Sequence, residues 1–213
     1  YARLQAGAQS VLLDREFDLP AERMDWLDAD IIDIAEAEVV EIEITHPDGE
    51  RIMARKASAD DANFVLEGVA EGFEPKSDWT VNSLAGNLSS LTLTDVRSDQ
   101  GIDWVSAKRF RLLTADGLNV EAELTGVPEQ GTAGEEEPET AHWLRVRGEL
   151  YTTAVGSAVD AIEDAGQTAD RATEINRRTA GWAYRIPRYK FEAMSKRMSD
   201  LVQPVESGDE PGT

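Results

Sequence analysis

The chain has 213 residues, of which 41% are hydrophobic and 30% charged, a composition that suits one large globular domain or two small ones. Its 42 acidic residues outnumber its 21 basic residues and give a formal net charge of -21, so phosphate-bearing surfaces such as nucleic acid would repel it. It contains no cysteine, which excludes disulfides, thiolate metal sites and cysteine nucleophiles.

The first predicted elements are short. Weak alternation of apolar residues from Tyr1 to Phe17 predicts two short strands around a turn. A helical segment is predicted to open at Pro20, because its apolar residues then recur every four or five positions. They are Trp26, Leu27, Ile31 and Ile32.

The segment from Val39 to Lys56 carries the clearest local signal. Apolar and polar residues alternate on both sides of Asp48-Gly49. This pattern predicts a tight β-hairpin, because the turn needs a residue that tolerates positive φ. A third strand is predicted at Phe64–Leu66.

A helix is predicted after Ser77, whose side chain suits an N-cap. The segment from Leu93 to Val96 then leaves that helix as an extended stretch. The apolar stripe of the predicted helix consists of Val81, Leu84, Leu88 and Leu91.

The hairpin pattern then returns around Asp116-Gly117, 68 residues after Asp48-Gly49, with a third strand from Trp143 to Leu150. Aligned on the turns, Ile42 matches Phe110 and Ile44 matches Leu112. We therefore predict an α+β fold of antiparallel hairpins with packed helices. It would contain two diverged hairpin–strand–helix repeats, at about 39–96 and 107–202, within a single domain spanning 1–203.

The remaining segments are distinct in composition. An acidic loop is predicted from Pro128 to Thr140, and an Ala-rich helix with a narrow apolar stripe from Val155 to Thr179. A short strand at Trp182–Ile186 precedes a helix, and residues 204–213 are predicted to be a disordered acidic tail. The apolar stripe of the last helix consists of Phe191, Met194, Met198 and Leu201.

The chain offers little material for catalysis. His46 and His142 are expected at the surface, and neither has a serine or aspartate at a spacing that suggests a catalytic triad. Two isolated histidines cannot form a zinc site, and the acidic segment from Asp95 to Asp103 lacks the pattern of a calcium-binding loop. No glycine-rich phosphate loop is present. We expect no enzyme activity, no cofactor and no metal.

Five tryptophans lie near the ends of predicted elements. They are either core and rim aromatics or the lining of a cleft for a glycan or another ligand. These residues are Trp26, Trp79, Trp104, Trp143 and Trp182.

One segment reverses the charge of the chain. Eight basic residues lie between Arg171 and Arg197 against only two glutamates, which gives this segment +6 and leaves -27 on the rest of a chain whose total is -21. Such a cluster either neutralises acidic neighbours within the fold or forms a docking face for an acidic partner or for lipid headgroups. We call it the basic face: Arg177, Arg178, Arg185, Arg188, Lys190, Lys196 and Arg197.

Four segments together resemble a known family. They are WLDADIIDI from Trp26, VEIEITHPDGERI with its Asp-Gly turn, FVLEG from Phe64 and GWAYRIPRYKFEAMSKRMSDLV from Gly181. In this order they resemble the bacterial family called domain of unknown function 4340, over a stretch from about Tyr1 to Val202. The segment from Gly181 to Tyr189 is the most distinctive of the four.

The resemblance implies a setting but no chemistry. Members of that family are typically held by an N-terminal membrane helix, with this domain outside the cytoplasmic membrane. They are often encoded beside ABC-type transport components, including a gliding-motility-type auxiliary subunit, and no catalytic residues are established for them. We therefore expect an extracytoplasmic accessory domain with a protein partner in or near the membrane, tethered by an anchor upstream of Tyr1. The alternative is a module that binds glycan or peptidoglycan fragments.

Overall fold

The computed structural model describes residues 23–129, 140–151 and 165–205. It confirms the predicted α+β class, because helices pack on a sheet whose strand pairs are antiparallel. The strands are β1 (Asp30–Ile32), β2 (Val39–Thr45), β3 (Arg51–Arg55), β4 (Val65–Leu66), β5 (Phe73–Pro75), β6 (Leu91–Thr92), β7 (Asp95–Ser98), β8 (Lys108–Thr114), β9 (Leu118–Pro128), β10 (Thr140–Leu150), β11 (Trp182–Ile186) and β12 (Val202–Pro204). The helices are α1 (Asp78–Asn82), α2 (Ala165–Thr179), α3 (Arg188–Met194) and α4 (Met198–Leu201). Short 3₁₀ turns span Arg23–Trp26, Glu36–Glu38, Ala85–Leu88 and Asp99–Gly101.

The main sheet has the strand order β4-β3-β2-β8-β9-β10-β11-β7. This order places the two predicted hairpins side by side, with β2 against β8 and the third strands β4 and β10 on the outer sides. β11 and β7 extend the sheet beyond β10. Two small sheets lie apart from it, formed by β1 with β6 and by β5 with β12.

Both predicted hairpins are present and share one register. Gly49 has φ +93 and Gly117 has φ +85, a backbone conformation that glycine adopts without steric cost. Ile44 pairs with Ile52 in the first hairpin, and Leu112 pairs with Val120 in the second. The residues 68 positions apart are therefore equivalent in geometry as well as in sequence pattern. A common origin of units 39–96 and 107–202 stays a prediction.

Strand alternation gives the main sheet one apolar and one charged side. On the apolar side the strands contribute Ile42, Phe110 and Leu144 to the core, and α2 and α3 pack over them. On the opposite side, adjacent strands carry basic and acidic side chains in turn. We call this side the charged face: Arg51 and Arg55 on β3, Glu41 and Glu43 on β2, Arg109 and Arg111 on β8, Glu121 and Glu123 on β9, and Arg145 and Arg147 on β10.

Two helices differ from their predicted extent because tertiary pairing removes residues from them. The prediction that Ile31 and Ile32 lie on a helix is wrong, since they belong to β1. Leu91, predicted to end the following helical stripe, lies on β6 and pairs with Ile32. That helix is accordingly α1 alone, capped by the Ser77 hydroxyl, followed by a 3₁₀ turn.

The last predicted helix is interrupted between α3 and α4. The carbonyl of Lys196 accepts a hydrogen bond from His46 Nε2 at 3.0 Å. The backbone N–H of Arg197 donates to the Asp200 carboxylate at 2.8 Å, which caps α4. These partners hold the connecting residues outside a helical conformation.

Several predictions lie outside the described residues: the strands between Tyr1 and Phe17, the acidic stretch 130–139, the helix start at 155–164 and the tail at 206–213. The Ala-rich helix is confirmed over its described part, Ala165–Thr179. The prediction that the disordered tail begins at residue 204 is wrong, because Pro204 belongs to β12 and pairs with Phe73.

Candidate functional site

A groove of about 830 Å³ opens where β10, β11 and α3 meet. It is lined by the start of β10, the end of β11 and the first turns of α3. We call it the α3 groove. Its lining includes Thr94, His142, Arg185, Arg188, Phe191 and Glu192.

Two stacked rings contribute to its lining. The rings of His142 and Phe191 have centroids 4.3 Å apart and planes inclined by 25°. The ammonium group of Lys108 lies 4.7 Å from the centroid of the Phe191 ring, within cation–π distance. The Nδ1 atom of His142 is buried and has no hydrogen-bond partner among the described residues.

Burial and charge act together on the His142 imidazole. Burial, followed by the positive charge of Arg188, lowers the pKa of His142 below its ordinary value of 6.5, although Glu192 opposes this effect. The ring is therefore neutral at neutral pH. Burial also lowers the pKa of Lys108, with a further contribution from the charge of Arg197. The groove thus combines a neutral aromatic pair with a partly desolvated ammonium group.

Two arginines of the basic face line this groove. Arg185 on β11 forms an ion pair with Glu129 at 3.0 Å, and Arg188 on α3 pairs with Glu192 at 2.7 Å. The Arg188 side chain is 80% exposed, so solvent screens its pair strongly. The Arg188 guanidinium group is consequently able to exchange its present carboxylate for another, whereas the Arg185 pair is partly buried.

Four other members of the basic face have different partners, whereas Lys196 contributes its backbone carbonyl to the bond with His46. Arg177 pairs with Glu174, Arg178 with Asp28, and Arg197 with Asp48 and Glu50. The Lys190 ammonium donates to the carbonyls of Asn87 and Ser89. The fold thus neutralises much of the basic face internally, which was one of the two interpretations of the sequence. The docking role stays a prediction; of the basic face, Arg185 and Arg188 line the α3 groove.

Sequence reasoning missed the inner part of the α3 groove. His142 was expected at the surface, yet it is only partly exposed and lies against Phe191, which was interpreted as a core residue. A signal was present, because His142 shares strand parity with the buried Leu144 and Val146. What the sequence lacked was the position of α3 over that strand.

A smaller cleft of about 250 Å³ opens at the charged face, where β11 diverges from β10. We call it the Trp182 cleft, because this tryptophan is 48% exposed at its edge. Beside it the guanidinium group of Arg145 lies 4.7 Å from the Trp104 ring and 2.6 Å from Glu123. The lining includes Asp99, Glu121, Glu123, Arg145, Arg147 and Trp182.

The five tryptophans fall into separate environments. Trp143 is buried, and Trp104 is half-buried with its Nε1 donating to the Asp99 carbonyl at 3.1 Å. Trp26, Trp79 and Trp182 are exposed. The tryptophans therefore do not line one shared cleft; among them, Trp182 borders one.

The charged face is largely neutralised by its own residues. Arg111 contacts both Glu41 and Glu43, and Arg51 lies 2.5 Å from Glu43. Burial alone would raise the pKa of Glu43, but the hydrogen bonds and charges of Arg51 and Arg111 outweigh it and lower that pKa. Cross-strand pairs of this kind stabilise a sheet and leave little net charge for a partner.

The second histidine is also not where the sequence placed it. His46 was expected at the surface and is instead 2% exposed, with its Nε2 bonded to Lys196. Among the described residues there is no group of three or more acidic or histidine side chains placed to hold a metal ion. Within the same residues, the helices are all too short or too polar to span a membrane.

Comparison with known proteins finds no matching family model, no matching curated protein and no matching solved structure. The resemblance to the domain of unknown function 4340 family stays a prediction.

Proposed function

We propose that this chain is a non-catalytic accessory domain that acts by contact with a protein partner. Its setting, taken from the family resemblance, is a membrane-anchored protein at the periplasmic face of the bacterial inner membrane, associated with an ABC-type transport or envelope system. The α3 groove is the observation that supports the contact. It is bordered by the segment from Gly181 to Tyr189, the same segment that carries the most distinctive part of the resemblance.

The groove favours an acidic partner segment that also carries an apolar side chain. Arg185, Arg188 and Lys108 supply positive charge around the stacked rings of His142 and Phe191. Carboxylates of a partner would replace Glu129 and Glu192 at the arginines. This exchange changes the free energy little at Arg188, whose side chain is 80% exposed, and more at Arg185, whose side chain is 30% exposed. Burial of an apolar side chain against the rings supplies the remaining stabilisation.

Site-specific photo-crosslinking in cells tests this proposal. A photoreactive amino acid would replace Tyr189, which is 66% exposed on α3, in the full-length protein. The matched control position is Val105, which is 92% exposed and does not line the groove. We expect an envelope or membrane protein to be crosslinked from position 189 and not from position 105. Equal crosslinking from both positions, or none from either, would count against the groove as the contact.

Charge reversal at Arg188 provides a second test, with the crosslink from position 189 as its readout. We expect Arg188→Glu to reduce crosslinking from position 189 by at least fivefold, because it places two carboxylates where the partner's acidic side chain would bind. Arg177→Glu is the matched control, since Arg177 is another exposed helical arginine with a glutamate partner on its own helix. Both variants should unfold at the same urea concentration as the wild type, to within experimental error.

The Trp182 cleft supports a second candidate function, binding of a glycan or peptidoglycan fragment. Trp182 borders a cleft whose lining carries carboxylates and guanidinium groups, and sugars bind through the combination of an aromatic stacking surface with hydrogen-bond donors and acceptors. A volume of about 250 Å³ suits one or two sugar rings.

Tryptophan fluorescence distinguishes this candidate from protein contact. Titration with peptidoglycan fragments and simple glycans should shift the emission of the wild type and not that of Trp182→Ala. Trp79→Ala is the control, because Trp79 is exposed at 76% on α1 and does not border the cleft. Emission that stays constant for every ligand would remove the glycan candidate.

A further inference from the structure

A pair of side chains on β7 and β10 carries buried donors that lack acceptors. The guanidinium carbon of Arg97 lies 4.0 Å from the centroid of the Trp143 ring. The Nε and Nη2 atoms of Arg97 and the Nε1 atom of Trp143 are buried without a hydrogen-bond partner in the part of the chain that the structure describes. Neither residue lines the α3 groove or the Trp182 cleft.

The sheet explains how the two side chains meet. Arg97 on β7 pairs with Ala183 on β11. Trp143 on β10 pairs with Arg185, two residues further along β11. Ala183 is fully buried and small, so the guanidinium group can reach across β11 to the indole. Ile102 packs in the same small apolar cluster as Trp143 and Ala183, which keeps this corner dry.

Arg97 differs from the other arginines of this acidic chain. Each arginine from Arg51 to Arg197 in the described ranges, apart from Arg97, contacts at least one carboxylate. Of the two aspartates that flank Arg97, Asp99 contacts Arg145 at 3.7 Å and Asp95 accepts a hydrogen bond from the Val96 backbone at 2.8 Å. The Arg97 side chain is half-buried, and a partly desolvated cation without an ion-pair partner is destabilising, which contact with an indole compensates only in part. A protein retains such a group where a ligand supplies the missing acceptor.

The pattern of unpaired atoms specifies that acceptor. The Nε–Nη2 edge of the guanidinium group presents two parallel donors in one plane, and both lack an acceptor among the described residues. A carboxylate accepts two such hydrogen bonds side by side, and the Trp143 indole adds a third donor. We propose that Arg97 and Trp143 form a binding site for the carboxylate group of a small organic acid.

Charge and enclosure restrict the ligand further. The site offers one positive charge within a protein of net charge -21, so a monoanion matches it better than a phosphate dianion does. The three donor nitrogens have no accessible surface, so neighbouring side chains must move before a ligand enters, which favours a compact acid over a protein chain. This site is independent of the proposed function and lies on different residues from it.

Nuclear magnetic resonance of the ¹⁵N-labelled protein tests the site directly. Sodium acetate, propionate and benzoate would be titrated at constant ionic strength against sodium chloride and phosphate, while the Trp143 Nε1–H and Arg97 Nε–H signals are followed. Trp143→Phe assigns the indole signal among the five tryptophans. We expect saturable shifts of both signals with at least one carboxylate, and because so small a ligand makes few contacts, a dissociation constant of about 1 mM for acetate.

Two variants distinguish an Arg97 that binds a carboxylate ligand from an Arg97 that only stabilises the fold. Arg97→Met should abolish the carboxylate-induced shift of the Trp143 signal and raise the melting temperature without ligand by about 3 °C, because it removes a half-buried charge that has no ion-pair partner in the described ranges. Arg145→Met is the control, since Arg145 also stacks on a tryptophan but already pairs with Glu123. It should leave the carboxylate-induced shift intact.

Several outcomes would overturn the proposal. They are shifts with phosphate alone, shifts that persist in Arg97→Met, or no saturable shift with any of the three acids. A response to a peptide with a free C-terminus, without a response to the small acids, would assign the site to a protein partner instead. An Arg97→Met protein less stable than the wild type would show that the guanidinium group is satisfied within the fold.

Discussion

Glu43 and Arg111 lie 68 residues apart and pair with each other across β2 and β8, with Arg111 Nη2 2.6 Å from a Glu43 carboxylate oxygen. The same separation relates Asp48 to Asp116, so Glu43 and Arg111 hold equivalent positions in the two hairpins. These two equivalent positions face each other across the β2–β8 pair, so their side chains must be complementary. Two like charges at this pair would repel each other. The repeat pattern therefore has to break at this pair.

Removing the guanidinium group of Arg111 should destabilise the sheet. Arg111→Met leaves Glu41 and Glu43 side by side and half-buried without their shared cation, at a cost of about 2 kcal/mol in the free energy of unfolding. Arg109→Met is the control on the same strand and face. Within the described part of the chain, Arg109 makes a single ion pair, to Glu123 at 3.4 Å, and its side chain is 57% exposed. The Arg109→Met variant should therefore lose less than about 0.5 kcal/mol in the free energy of unfolding. Urea unfolding measures both, and equal losses would contradict the shared-cation explanation.

The same carboxylate gives the fold an acid-sensitive component. The pKa of Glu43 is lowered in the folded state relative to its ordinary value of 4.5, so its contribution to stability is present above that pH and is lost as the pH falls below it. Arg111→Met should remove much of this dependence. Urea unfolding would then show that the variant loses less stability than the wild type between pH 6 and pH 3.5. Equal losses of stability would contradict the assignment of this pH dependence to Glu43.

His142 should contribute a second dependence at a higher pH. Its folded pKa lies below 6.5, so the unfolded chain takes up the proton first as the pH falls. Stability from this group is present above about pH 6.5 and is lost as the pH falls toward the folded pKa. His142→Phe keeps a ring against Phe191 but cannot titrate. We expect the wild type to lose more stability than His142→Phe between pH 7.5 and pH 5.5, measured by urea unfolding, whereas identical losses would argue against a neutral buried imidazole.

His46 should behave as a structural residue of the core. His46→Leu removes the donor to the Lys196 carbonyl and leaves that carbonyl unsatisfied, which should cost about 1 to 2 kcal/mol. His46→Gln keeps an Nε2 donor at similar reach and should recover part of the loss. Thermal unfolding compares the three proteins. A leucine variant as stable as the wild type would show that the hydrogen bond contributes nothing.

The packing of α2 on β10 depends on a missing side chain. A Cβ atom added at Gly148 would lie 3.3 Å from both Ala172 and Ile175, and Asn176 clamps the Gly148 backbone through two hydrogen bonds. Gly148→Val should therefore cost about 2 kcal/mol or more by pushing the helix outward. Gly166→Ala, where an added Cβ meets nothing within 4 Å, should be neutral or stabilising by up to about 0.5 kcal/mol. Urea unfolding of both variants checks the contrast, which would fail if Gly148→Val were as stable as Gly166→Ala.

Local chemistry was sufficient for the hairpins and insufficient for the helices around them. Asp48-Gly49 and Asp116-Gly117 specify their turns through residues that are adjacent in sequence, so period-two alternation and one glycine predicted the strands and the turns. Ile31 and Leu91 have helical spacing in their own segments, yet pairing between β1 and β6 takes both into strands. Spacing within a segment cannot report a partner about 60 residues away.

For the α3 groove, the sequence by itself determined the positive charge of the segment from Arg171 to Arg197, because charge depends only on composition. It could not determine that Arg178 pairs with Asp28 and Arg197 with Asp48, since these partners lie 150 and 149 residues away and meet only when the sheet is assembled. Tertiary structure alone decided which arginines border the groove and which donors remain without acceptors. The physical reason is that hairpins form from short-range contacts, whereas a binding site depends on which distant groups each side chain reaches.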